Sequence, residues 1–259
     1  MTRRPGFPVQ LGSTSPLVPS ITGTRGTMPA GRTGFAPETA ASSAAMRSRM
    51  VQRLAAQGIS DPRVLHALTQ VERHRFVDSA LSSQAYEDTS LPIGFGQTIS
   101  KPNVVGRMIE LLLGAPALAH QPDARLGRVL EIGTGCGYQA TLLSHVAKEV
   151  YSIERVRGMH ERARINLRPF RLATVHLLLG DGMLGYARGA PYAGIIAAAS
   201  GDAVPEAWID QLAPGGRIVA PTRSSGGQQV LVVIDRTHLG VRRQALEAVQ
   251  FVPLKSGIA

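Results

Sequence analysis

Beyond Arg128 the apolar residues fall into two alternating spacings. Short apolar runs, "RVLEI" (128–132), "EVYSIE" (149–154), "TVHLLLG" (174–180), "YAGIIAAAS" (192–200) and "GGRIVAP" (215–221), read as strands. Between them lie helix-spaced segments from Tyr138 to Ala147, from Val156 to Leu167 with Pro169 as a stop, and from Val204 to Leu212. Strand and helix in alternation predict a mostly parallel, doubly wound α/β sheet with helices on both faces. Two further runs, "QQVLVVIDR" (228–236) and "ALEAVQFVPL" (245–254), have only a turn between them and predict a C-terminal antiparallel hairpin at one edge.

Upstream, one helix is expected from Ser43 to Gln57, stopped at Gly58, and a second from Pro62 to Val71 with Asp61 as its cap. "ERHRFVD" then leads into a stretch read as a loop, "SALSSQAYEDTSLPIGFGQTIS" (79–100), before a helix from Pro102 to Leu113. Residues 1–40 are rich in Pro, Gly, Ser and Thr, lack periodicity and read as a disordered extension. Arg3-Arg4 resembles the start of a twin-arginine signal, but no continuous apolar stretch follows. Residues 41–259 then form a single domain whose N-terminal part, 41–100, is helical.

Composition narrows the classes. The 259 residues are 44% hydrophobic, enough for one sizeable core. No run approaches the roughly 18 apolar residues that a spanning helix needs, so no membrane partner is expected. The single cysteine, Cys136, excludes an internal disulfide framework and fits a reducing, cytoplasmic setting. No Cys/His cluster has metal-site spacing, so no metal is expected. The net charge of +10 permits nucleic-acid contact, but the arginines are dispersed and aromatics are only 5%, so no specific nucleic-acid partner is expected.

The chemistry begins at "VLEIGTGCGYQA" (129–140). Gly133, Gly135 and Gly137 follow the first strand of the sheet directly, where small residues let a ligand approach the backbone closely. The spacing is G-x-G-x-G rather than the G-x-G-x-x-G of dinucleotide sites. Glu131 precedes the loop, Glu154 ends the next strand where a carboxylate can accept from ribose hydroxyls, and Asp181-Gly182 ends the third. A dinucleotide enzyme, or a glycine turn with no ligand, stays open on the glycines alone. With the acids at successive strand ends, the arrangement resembles the Rossmann-like class I S-adenosylmethionine-dependent methyltransferases.

The resemblance narrows at "LPIGFGQTISKPNVVGRMIELL" (91–112) followed by "VLEIGTGCGYQATLL". With "VYSIERV", "GDGMLGYARGAPY", "IDQLAPGGRIVAP" and "FVPLKSGIA", it is similar to the protein-L-isoaspartate O-methyltransferases over roughly Met46 to the C-terminus. "GQTIS-x-P" is the most specific part. The resemblance implies transfer of a methyl group from S-adenosyl-L-methionine to the α-carboxylate of L-isoaspartyl residues in damaged proteins and peptides, followed by non-enzymatic collapse to a succinimide. It implies Ser100 as the active-site residue and a cofactor set of Gln97, Thr98, Ile99, Glu131, Gly133, Thr134, Gly135, Cys136, Gly137, Glu154, Arg155, Asp181 and Gly182. It puts Lys255 in the region that closes over the substrate peptide. A monomer is expected.

The residues agree with this chemistry. A carboxylate is already ionised at neutral pH and needs no general base, so neither a catalytic His nor Cys136 as a nucleophile is required. Ser100 would orient the carboxylate; its local sequence also reads as an N-cap of the following helix, and the two roles can coexist. Trp208 reads as packing. Two positions depart from the family pattern: Ala193-Gly194 where an acidic strand opening is usual, and Asp202 where many members have proline. A class I methyltransferase acting on a small molecule or nucleic acid is the competing reading. It would gain from an "N/D-P-P-Y/F" motif after the fourth strand, where "AAASGD" stands instead.

Overall fold

The computed structural model describes residues 40–121 and 123–259. The disordered extension expected over 1–40 lies outside them except at Ala40, which is already helical. Helix α1 (Ala40–Ala56) starts slightly earlier than expected. Helix α2 (Pro62–Gln70) begins as its sequence directs, with Pro62 in the first turn and the Asp61 carboxylate accepting from the Arg63 amide at 2.8 Å.

The stretch read as a loop is more ordered than that. After two short 3-10 turns it forms an antiparallel hairpin of β1 (Leu91–Gly94) and β2 (Gln97–Ile99). Strands of four and three residues containing a proline and a glycine carry too little alternation to be seen in the sequence. Helix α3 (Pro102–Leu113) follows and buries Val105, Met108, Ile109 and Leu112.

The main sheet is built from β3 (Leu126–Ile132), α4 (Tyr138–Val146), β4 (Ala147–Glu154), α5 (Arg157–Leu167), β5 (Val175–Leu179), β6 (Tyr192–Ala197), α6 (Glu206–Asp210), β7 (Leu212–Arg223), β8 (Gln229–Thr237) and β9 (Gly240–Ala248). Its order is β5-β4-β3-β6-β7-β8-β9, parallel from β5 to β7 and antiparallel across β8 and β9. This is the doubly wound sheet with the antiparallel edge hairpin that the pattern predicts. The chain leaves β3 to one side for β4 and returns on the other for β6, so a crevice opens at the carboxyl ends of these strands.

Two expectations need correction. The helix expected from Val204 to Leu212 is a five-residue turn, because Leu212 pairs with Tyr192 in the sheet. The last strand is 240–248, not 245–254. As an exposed edge, β9 ("GVRRQALEA") needs no apolar alternation, whereas the apolar "VQFVPL" leaves the ladder and crosses to the site.

Both faces of the sheet are packed. Helices α1 to α4 bury Met50, Leu54, Leu68, Met108 and Leu143 in one core cluster. On the other, Trp208, Tyr192, Ile195 and Ile218 form a second. The Ala193-Gly194 departure has a packing consequence. A Cβ at Gly194 would come within 3.0 Å of Leu112, so glycine lets α3 seat closely on β6. Asp202 pairs instead with Arg223 at the surface, at 3.3 Å.

Candidate active site

The glycine loop after β3 has three left-handed glycines, with Gly137 at φ 92° capping α4. Any side chain there would also collide with α5, since a Cβ on Gly137 falls 2.1 Å from a Leu167 methyl. The loop is fastened to the neighbouring strand. The Gly133 amide donates to the Ile153 carbonyl at 2.8 Å, and the Gly135 amide donates to Glu154 Oε2 at 2.9 Å. Glu154 Oε1 accepts from the Val156 amide, also at 2.9 Å. The Glu154 carboxylate thus ties the loop to the β4–α5 corner and still keeps further acceptor sites on each oxygen.

Around this corner lies a cavity of about 530 Å3. Of the expected cofactor set, Gln97, Thr98, Gly133, Gly135, Glu154, Arg155 and Gly182 line it. Ile99, Thr134 and Cys136 line a small adjoining void of about 40 Å3, which Ser100 also borders. Glu131, Gly137 and Asp181 border none of these spaces.

The Glu131 carboxylate is fully buried, accepts from the Ser152 hydroxyl and leaves its other oxygen without a partner. Burial pushes its pKa up to about 8, against the Ser152 hydrogen bond that favours the charged form, so it is largely protonated at neutral pH. Asp181 Oδ1 accepts from the Met183 amide at 2.9 Å and Oδ2 from the Gly257 amide at 2.6 Å. Burial likewise raises the Cys136 thiol to about 11, so it stays a small neutral group within the loop.

Two wall elements went unread in the sequence, and a third was read only as the region around Lys255. The first is the hairpin tip. Phe95 sits at φ 53° between two left-handed glycines, is 60% exposed and lines the cavity. Its ring rests on Gly158 of α5, where a Cβ would come within 2.5 Å of it. The second is Ala198-Ala199 after β6. The third is the segment Val252-Pro253-Leu254, which follows β9, bonds through its backbone to Ser200 and reaches the cavity with Lys255. The chain beyond it is latched to the β4–α5 corner. The Ala259 amide donates to the Arg155 carbonyl, and the Arg157 amide donates to the Ala259 carbonyl, both at 2.8 Å. The Arg155 guanidinium donates to the Gly257 carbonyl at 3.0 Å and to the Ser256 carbonyl at 3.3 Å. Trp208, packed as expected, donates its indole N–H to the Gly182 carbonyl at 2.8 Å.

Ser100 lines a second cavity of about 600 Å3, with Ser90, Lys101 and Phe251. Thr98, Ala198 and Val252 border both large cavities, so the two meet across these side chains. The N-cap reading of Ser100 is corrected here. Lys101 is the N-cap of α3 and makes no side-chain capping bond, while the Asn103 amide donates to Asp88 at 2.9 Å. The Ser100 carbonyl accepts from Arg73.

A doubly wound sheet with a glycine loop after β3, a carboxylate at the end of β4 and a cavity between them defines a class I methyltransferase. The family model described as protein-L-isoaspartate(D-aspartate) O-methyltransferase matches residues 45–259, and the chain belongs to that family. A protein-L-isoaspartate O-methyltransferase of Methylibium petroleiphilum is 55% identical over 235 residues, 90% of this chain and 83% of that one. One of Leptothrix cholodnii is 56% identical over 213 residues, 82% and 74% of the two chains. A solved protein-L-isoaspartate O-methyltransferase superposes with a TM-score of 0.72 at 27% identity, covering 82% of this chain and 67% of that one. A Plasmodium falciparum structure, described as a protein-L-isoaspartate O-methyltransferase in complex with S-adenosyl-L-homocysteine, gives a TM-score of 0.68 at 22% identity over 81% and 98%.

Proposed function

We propose that the chain transfers a methyl group from S-adenosyl-L-methionine to the α-carboxylate of L-isoaspartyl residues in damaged proteins and peptides. The observation that carries this reading is the junction of the two cavities, with the glycine loop and Glu154 on one side and Ser100 on the other. The cavity of about 530 Å3 is of a size that holds a nucleoside-sized ligand. Within it, Glu154 would accept from the ribose hydroxyls, and Gln97, Thr98 and the amides of the loop would flank the amino-acid end. Gly182, which lines the same cavity, would border the adenine end. When bound, the sulfonium supplies an already activated methyl group.

The chain's own part is positioning. An isoaspartyl carboxylate is ionised at neutral pH and needs no base. Ser100 would orient it in line with the methyl donor across Thr98, and the strap of residues 252–255 would exclude water from the junction. With an ionised nucleophile and a sulfonium leaving group, the reaction gives a metal no task. The reading extends to a cytoplasmic monomer without a specific nucleic-acid partner. Among the described residues no helix is long and apolar enough to cross a membrane.

Radiolabelled methyl transfer to an isoaspartyl peptide beside its normal aspartyl twin tests the reading. Labelling of the isoaspartyl peptide alone is expected. Absent labelling of both would favour a small-molecule or nucleic-acid substrate instead, and equal labelling of both would remove the isoaspartyl selectivity.

A further inference from the structure

Among the described residues, Arg73 is the only arginine that is fully buried. Its guanidinium has no salt bridge among the described residues. Nε donates to the Ala85 carbonyl at 2.8 Å, Nη2 to the Ser100 carbonyl at 2.7 Å, and the Thr89 carbonyl lies 3.5 Å from the same nitrogen. The group sits over the Tyr138 ring at 4.8 Å, and Nη1 has no partner. An unpaired buried cation is costly, and a neutral side chain could have filled the same space. Desolvation lowers its pKa, against the opposing influence of Tyr138, Cys136 and Asp88.

Its place explains what the cost maintains. The carbonyls of Thr89 and Ser100 point back at Arg73, and their neighbours on the other side, Ser90 and Ser100 itself, line the cavity assigned to the substrate. Among the described residues no acidic side chain lines that cavity, and Lys101 is the one charged residue that does. We propose that Arg73 is a positioning residue for the isoaspartyl carboxylate: it fixes the Ser100 backbone and supplies, from behind the wall, the positive field that draws an anion into this cavity.

Indirect action suits the chemistry. A guanidinium in direct contact would hydrogen-bond the carboxylate and hold the lone pair that must attack the methyl carbon. Placed one carbonyl away, with its nearer N–H groups consumed, Arg73 favours arrival of the anion without capping the nucleophile. The inference rests on the substrate reading above.

The test compares two peptides, isoaspartyl and its neutral isoasparaginyl twin, as ligands of the enzyme saturated with S-adenosyl-L-homocysteine, so that no turnover occurs. Wild type should prefer the carboxylate peptide. Arg73→Met should reduce that preference about tenfold and raise KM for the isoaspartyl peptide similarly; kcat should fall as well, since the Ser100 backbone is no longer held, while S-adenosylhomocysteine affinity stays little changed. Arg73→Lys keeps the charge but cannot bridge Ala85 and Ser100. It should melt earlier yet keep most of the preference, and it decides the matter alone if Arg73→Met does not fold. A lysine variant that loses the preference together with stability, or a methionine variant that discriminates like wild type, overturns the proposal. So does Lys101→Met if it abolishes the whole preference. Absence of any preference in wild type would instead sink the substrate assignment itself.

Discussion

At the scale of single residues, Ser100 and Glu131 make opposite kinds of statement. The Ser100 hydroxyl forms no capping bond, since α3 is capped from Lys101 and Asp88. Ser100→Ala should therefore leave the melting temperature almost unchanged, whereas loss of an N-cap would cost about 1 kcal/mol. In kinetics with isoaspartyl peptide, kcat/KM should fall by about tenfold or more, because in-line transfer tolerates little misplacement of the attacking oxygen. Near wild-type kinetics would remove Ser100 from the site. Glu131 is protonated in the folded state up to about pH 8, while in the unfolded chain it ionises near its ordinary value of 4.5. It is thus tolerated at low pH and opposes folding increasingly as pH rises between those values. Glu131→Gln removes this term, so its melting temperature relative to wild type should be higher at pH 9 than at pH 5. An equal difference at both pH values would mean that Glu131 is ionised in place.

Elements decide how the site is closed. The hairpin β1–β2 and the strap after β9 grip the same β4–α5 corner, one through Phe95 on Gly158 and the other through Arg155, and the strap is also held by Asp181 after β5. Gly257 holds φ at 74° while its amide donates to Asp181. Proline can satisfy neither requirement. Gly257→Pro should release the strap and weaken S-adenosylhomocysteine binding about tenfold by calorimetry, the loss expected of one hydrogen bond to a charged group. Unchanged affinity would show that the strap does not contribute to this cavity. Neither grip is visible as periodicity. "GFGQT" reads as a turn because its strands are so short. "VQFVPL" reads as a strand because its alternation is real, but Phe251 is held by the Gln229 side chain rather than by a ladder.

Over the whole molecule, ligand binding and stability should be one measurement. Saturation with S-adenosylhomocysteine at a hundred times its dissociation constant should stabilise the fold by about 2.7 kcal/mol, a rise in melting temperature of roughly 5–10 °C for a domain of this size. Glu154→Ala should lose most of that shift at the same ligand concentration, since the side chain ties the glycine loop to the β4–α5 corner and faces the cavity. A full shift in the variant would exclude Glu154 from the ligand. What the sequence determined was the sheet and the loop that binds at its edge. Alternating spacings set the strand and helix order, and local backbone needs set Gly133, Gly135, Gly137 and the acids at strand ends. Tertiary structure alone decided which of those acids face a cavity. Glu154 does, whereas Glu131 turns inward to Ser152 and Asp181 is taken by backbone amides, because side-chain direction depends on partners far away in the chain. It alone also placed Arg73 behind Ser100, since a buried cation is recognisable only once its surroundings are assembled.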